Sequence, residues 1–172
     1  AESVEQATAL AHGNVNVYML PDRDAPEGTE GELLEWLSGR LDRVGDAERR
    51  SAFVAAVRGN LLFPADVEPL VTVVCDAAVT LDDDAVREVS AAGAAFFEQA
   101  LAAWRANTPD FKSWVRAVGA GTSRKGAALY MPLRAALTGH THGPELAPLV
   151  ALMGSERVAE RIAAAGARAA AG

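Results

Sequence analysis

The stretch from Arg124 to Leu146 decides how this chain is read: Arg-Lys-Gly-Ala-Ala-Leu-Tyr-Met-Pro-Leu-Arg-Ala-Ala-Leu-Thr-Gly-His-Thr-His-Gly-Pro-Glu-Leu. Pro132 has no backbone donor, so it suits the first turn of a short helix or a kink between two helical pieces. The apolar run Leu133, Ala135, Ala136, Leu137 predicts a helix that stops at Gly139, a natural C-cap. Gly143-Pro144-Glu145 predicts a restart, with Pro144 at the first helical position and Glu145 near the positive helix end. The result is two helices joined by the loop His140-Thr141-His142-Gly143, with Arg134 pointing outward from the first helix.

The chain on either side also reads as helix. Thr108-Pro109-Asp110 is a cap followed by a helix-starting proline; Phe111, Trp114, Val115 and Val118 then face inward, while Lys112 and Arg116 share an outer face. Downstream, Leu146, Leu149, Val150, Leu152 and Met153 form an apolar row, Ser155 caps a last helix through Val158 and Ile162, and the Ala-Gly tail is expected to fray. Upstream, Thr29 with Glu32 spells a capping box for a helix through Leu33, Leu37 and Leu41. Gly45-Asp46 starts the next, lined by Phe53, Val54, Val57 and Leu61, with Arg49, Arg50 and Arg58 on or near the other face. Pro64 opens a helix through Val67, Val71 and Cys75. Asp82-Asp83-Asp84 is a cap with first-turn acids rather than a calcium loop, and its helix runs to about Ala106, weakened at Gly93. Trp36, Phe53 and Trp104 read as core. Before residue 29 the signals are mixed: a short helix at 4–11, an alternating strand at 15–20, a turn-rich linker at 21–28. The sum is an all-α layout of seven or eight helices in three parts, 1–28, 29–106 and 107–172.

Of the 172 residues, half are hydrophobic, and no apolar run approaches the ~20 residues of a membrane span. The one cysteine, Cys75, excludes an internal disulfide and reads as a small apolar residue, so a reducing cytoplasm is the simplest setting. The net charge of −7 is unevenly placed. Residues 1–104 hold 7 basic and 19 acidic side chains, whereas 105–144 hold six basic ones against Asp110 alone. A basic segment on an acidic body is the distribution of a local phosphate site, or simply of a solvated surface.

The quoted stretch resembles the C-terminal anticodon-binding region of bacterial glutamyl-tRNA synthetases. That family carries Lys-Gly-x-x-Leu-x-x-Pro-Leu-Arg-x-Ala-Leu-Thr-Gly, a short loop and a Pro-x-Leu. Here the pattern stands as Lys125-Gly126, Leu129, Pro132-Leu133-Arg134, Ala136-Leu137-Thr138-Gly139, Pro144 and Leu146. Val57-Arg58-Gly59-Asn60 is a second point of resemblance, which in all covers roughly residues 45–165. It implies recognition of a tRNA anticodon loop of glutamate type. Arg58 (with Arg49 and Arg50 as fallbacks) would read the third anticodon base, and Thr141, His142, Gly143, Pro144 and Leu146 would supply the other base contacts. A serine often precedes the proline in this family; Gly143 stands here, which leaves a backbone contact but no hydroxyl. Lys112, Arg116, Arg124, Lys125 and Arg134 would hold the RNA backbone, although Arg134 also fits a structural pair within the motif and Lys125-Gly126 a turn requirement.

The chemistry of ligation is missing from this sequence. There is no glycine-rich phosphate loop, and the His-x-Gly-His and Lys-x-Ser-Lys signatures by which class I synthetases bind ATP are absent. His140 and His142, without a third ligand type nearby in sequence, are weak evidence for a metal, and no catalytic residue is assigned. The chain therefore reads as the last third of a synthetase or a free-standing relative of it. ATP and magnesium would belong to a full-length parent, and the parent's catalytic domain would be a partner. A second reading is a helical protein-interaction module that keeps this fold and no longer binds RNA.

Overall fold

Helix caps written into the sequence organise the computed structural model, which describes residues 29–172. The expectations for 1–28 lie outside the described residues. Thr29 and Glu32 close the capping box reciprocally at α1 (Glu30–Trp36). Asp46 accepts from the Arg49 N–H at 2.9 Å to start α2 (Ala47–Val57). Two short 3-10 turns, Arg58–Asn60 and Pro64–Asp66, lead into α3 (Val67–Cys75). Asp82 caps α4 (Asp83–Ala92) through the Ala85 N–H at 2.7 Å. Then follow α5 (Ala94–Asn107), α6 (Phe111–Thr122), α7 (Ala127–Thr138), α8 (Leu146–Met153) and α9 (Ser155–Ala171). Among the described residues the fold is all-α, as the periodicity predicts, with nine α-helices where seven or eight are expected.

Several boundaries differ from the sequence reading, each for a local reason. The helix expected through Leu41 ends at Trp36, yet Leu37, Leu41 and Val44 stay buried on the turns that follow. One helix expected through Gly93 is two: at φ 82° and ψ 158° this residue occupies a region essentially reserved for glycine, and the axis breaks there. Asp110, not Thr108, caps α6, so Pro109 lies before the helix rather than at its first position. Gly154 occupies the cap position of α9 and Ser155 is its first residue. The tail expected to fray is helical to Ala171, because α9 packs along α5; a Cβ at Gly166 would already press on Phe97 Cβ at 3.2 Å.

One core joins all the helices. Phe53 and Val57 of α2, Val67 and Val74 of α3, Phe97 of α5, Trp114 of α6, Leu133 and Leu137 of α7, Leu149 of α8 and Ile162 of α9 are essentially inaccessible. The α9 helix is the common strut, in contact with α4, α5, α7 and α8. Trp104 and Trp114 meet edge to face at 5.0 Å, and their indole N–H groups donate to Ser155 O and Ala100 O at 3.0 and 2.9 Å, so both rings are buried without an orphaned donor. Cys75 is half-buried and its thiol donates to Arg43 O at 3.3 Å.

Arginines provide a second layer of cohesion. A helix ends with unsatisfied carbonyls and a partial negative charge, both of which a guanidinium satisfies. Arg161 is 3% exposed and donates to Val73 O, Leu137 O and Asp76 O, each at 2.6 Å, tying α9 to the ends of α3 and α7. Arg157 donates to Val74 O and Met153 O at 2.9 and 2.8 Å. Arg49 donates to Leu152 O at 2.6 Å, joining α2 to the end of α8.

Candidate nucleic-acid interface

The motif helix α7 and the loop after it are fixed from three sides. Pro132 is the sixth residue of α7, inside the helix rather than in its first turn. The carbonyl it leaves without an N–H partner belongs to Ala128, an exposed residue. Gly139 ends the helix in the left-handed region at φ 80°, its N–H donating to Ala135 O. Its missing side chain has a second cause. A Cβ there would fall inside the van der Waals shell of Thr80 O, and Gly139 O accepts from the Asp82 N–H at 3.0 Å. The loop is thus laid directly on the start of α4. His140 completes the seam, with Nδ1 2.7 Å from Asp82 Oδ2. The Ala85 N–H and then His140 hold the Asp82 carboxyl below its ordinary range. Nothing in the sequence signalled this contact between residues 58 positions apart.

On the other side, Arg134 does not point outward as expected. It is half-buried and donates to Pro144 O at 2.8 Å, bridging α7 to the far end of the loop, and burial pushes its guanidinium below the usual arginine range. The Thr138 hydroxyl lies 2.8 Å from Arg134 O and accepts from the His140 N–H at 3.3 Å. Gly143, at φ 131°, lets the chain turn under Arg134 where an L side chain would be strained. Pro144 is buried and does not begin α8; Glu145 occupies the cap position, and the proline in the first turn of α8 is Pro148. Leu146 is 4% exposed. Of the base-reading candidates in this loop, His142 and Gly143 are exposed and Thr141 half-exposed, while Pro144 and Leu146 are buried, backbone included, and Pro144 O is taken by Arg134. The His140 and His142 rings lie 5.9 Å apart.

Four of the five backbone candidates come together. Lys112, Arg116, Arg124 and Lys125 line one open cleft of about 590 Å³ between α6 and the start of α7. Lys112, Arg116 and Lys125 are exposed. Arg124 is half-buried, donates to Ala92 O at 3.0 Å at the end of α4, and lies 4.8 Å from the Phe96 ring centroid, so its cation serves the fold as well. Arg134 does not line the cleft, but it sits on α7 one turn beyond Tyr130, which does. Arg58 is exposed at the start of the 3-10 turn that follows α2. Arg49, a fallback reader, is committed to Leu152 O. Sequence reasoning missed Tyr130, which an aromatic on the outer side of Leu129 and Leu133 in the helical pattern could have flagged.

Fold and surface together define an all-helical domain with a cationic cleft at the start of α7 and a clamped, glycine-containing loop at its end. The chain belongs to the anticodon binding domain family, whose pattern matches residues 31–166. It is 45% identical to a glutamate–tRNA ligase of Alkalilimnicola ehrlichii over 124 residues, 72% of this chain and 26% of the relative. It is also 45% identical to one of Acidithiobacillus ferrooxidans over 139 residues, 81% of this chain and 29% of the relative. A glutamate–tRNA ligase of Halorhodospira halophila is 49% identical over 109 residues, 63% of this chain and 23% of the relative. The chain thus spans about a quarter of the length of the curated relatives it matches. No helix among the described residues is long and apolar enough to cross a membrane.

Proposed function

We propose that this chain recognises the anticodon loop of a glutamate-type tRNA, as the C-terminal part of a glutamate–tRNA ligase working in the cytoplasm. The observation that carries the reading is the convergence of Lys112, Arg116 and Lys125, exposed, on a cleft at the start of α7, the helix whose other end carries the clamped 139–146 loop. Phosphate contacts place an RNA and base-edge contacts select it. In this division of labour the three cations hold the backbone. The accessible start of the loop, Thr141 to Gly143 with the His142 ring, faces the bases, and Arg58 reads a further base. An antiparallel course of α2 along α8, from the Arg49–Leu152 anchor, would carry Arg58 toward that loop. Arg134 supports recognition by holding Pro144, and Arg124 by holding the cleft wall against α4. The clamps fix the loop before RNA arrives, so less ordering is charged against binding. Glutamate ligation with ATP and magnesium would be carried outside this chain, by a catalytic domain of the same protein.

The test is a titration of the chain with glutamate tRNA at low and moderate salt, beside Arg58→Ala and Arg116→Ala. Binding that falls with salt and with each substitution supports the reading. Tight, salt-independent behaviour toward proteins with no RNA binding at low salt would support the interaction-module alternative, because counterion release makes genuine RNA contacts salt-sensitive.

A further inference from the structure

We infer that Tyr130 is a stacking platform for one unpaired base of the bound RNA, flanked by the cations that hold the adjoining phosphates. The inference rests on the RNA-binding reading above and assigns a residue and a mode of contact to it. Three large hydrophobic side chains are exposed among the described residues, Leu62, Phe63 and Tyr130. Tyr130 alone of these lines the cationic cleft. It is 45% exposed, although its neighbours on α7, Leu129, Pro132 and Leu133, are all buried. Neither a hydrogen bond nor a ring contact among the described residues engages its side chain. At 45% exposed, its ring is therefore accessible at the cleft to a bound partner.

The surroundings say what the ring is suited to. Phe111 and Leu129 give the cleft an apolar floor, Lys112, Arg116 and Lys125 supply positive charge, and no carboxylate among the described residues lines it, on a chain whose net charge is −7. An apolar, aromatic-edged recess with cations and no anion matches a nucleotide, whose base wants a π-face and whose phosphate wants a cation. At about 590 Å³ the cleft is of ordinary size for such a group. Tyr130 lies one helical turn, about 6 Å, before Arg134 on the same face, and Arg134 holds Pro144. A chain whose next bases lie at the 141–146 loop therefore passes Tyr130.

The experiment uses the full chain and the anticodon stem-loop of a glutamate tRNA carrying 2-aminopurine at each loop position in turn. Tyr130→Ala is compared with Tyr130→Phe. Because Tyr130 is outside the core, both variants are expected to keep the helical circular-dichroism signal and melting temperature of the parent. Stacking contributions of the usual size predict that Tyr130→Ala weakens binding roughly 5- to 150-fold. The same variant loses fluorescence quenching at one loop position, leaves the salt dependence unchanged, and Tyr130→Phe restores affinity to within about threefold. If Tyr130→Ala binds like the parent and quenching persists, while Arg116→Ala weakens binding, RNA recognition stands and the platform is refuted. If the parent chain itself fails to bind the stem-loop at low salt, both readings fall.

Discussion

Replacing Gly139 by alanine tests how the recognition loop is held. Two glycines share φ of +80°, Gly139 and Gly39, and differ in what a side chain would meet: at Gly39 nothing lies within 4 Å, whereas at Gly139 a Cβ would overlap Thr80 O. The left-handed backbone costs an alanine about 1–2 kcal/mol at either site. At Gly139 the chain must also part from Thr80. Carbon and carbonyl oxygen sit at roughly 3.3–3.6 Å even in attractive contact, so a displacement on the order of 1 Å is required. That displacement breaks the Asp82 N–H to Gly139 O bond, worth about 1 kcal/mol, and strains the packing by another ~1–3 kcal/mol. Gly39→Ala should therefore cost about 1–2 kcal/mol and Gly139→Ala about 3–6. For a chain of this size each kcal/mol lowers the melting temperature by roughly 2–4 °C. Urea unfolding of the two variants beside the parent reads the difference directly. Equal losses at the two positions would refute the claim that close approach of the Val79–Thr80 segment leading into α4, rather than backbone handedness alone, demands a glycine at the end of the motif helix.

Other perturbations probe the arginine clamps and the acidic caps. Arg161→Met orphans three carbonyls at about 1–3 kcal/mol each, while removing a charge that burial pushes down to about 10; the net loss should be about 3 kcal/mol, seen as a lower urea midpoint at unchanged slope. Arg134→Met should cost about 1–2 kcal/mol of stability and weaken RNA binding without altering its salt slope, because the guanidinium is spent on Pro144 O; Arg116→Ala should instead lower the slope by about 1 and leave stability nearly unchanged. Asp82 and Asp110 both have carboxyls held below their ordinary range, Asp82 chiefly by the Ala85 N–H and Asp110 chiefly by the Ser113 hydroxyl. A lowered folded-state value means stability that is present above about pH 4 and lost as pH falls below it. Asp82→Asn and Asp110→Asn should each flatten that acid decline, measured as urea midpoints across a pH series.

The parts of this fold that were legible in the sequence are those set by local chemistry. Thr29 with Glu32, Asp46 and Asp82 each announced a helix start, because a cap needs only its own side chain and an N–H two or three residues on. Gly139 announced the end of α7 for the same reason. Most arginines were not legible. For Arg134 a structural role within the motif was one of two readings, while Arg161, Arg157, Arg49 and Arg124 look like solvent or RNA contacts in a helical pattern; each of the five reaches a main-chain carbonyl outside its own helix or loop, Val73 from Arg161 being 88 residues away. Such partners are set by tertiary packing, which periodicity does not encode. Pro132 and Pro144 misled for a related reason. A proline's restriction is local, yet whether it sits in a first turn, mid-helix or a loop depends on which carbonyls the surroundings leave exposed. Of the cleft, the cations were visible from their clustering in sequence, and the aromatic that completes it was hidden between two core residues.

The central claim is that this surface reads an anticodon rather than any RNA. The direct measurement is the affinity of the chain for the glutamate anticodon stem-loop beside two others, one with an anticodon base exchanged and one with a loop base outside the anticodon exchanged, at fixed salt. The account predicts that the anticodon exchange weakens binding by about 1–3 kcal/mol, the cost of leaving a polar group of the reading loop desolvated and unpaired, and that the outside exchange has little effect. Equal affinity for all three would contradict it, leaving a cationic cleft that binds RNA without reading it.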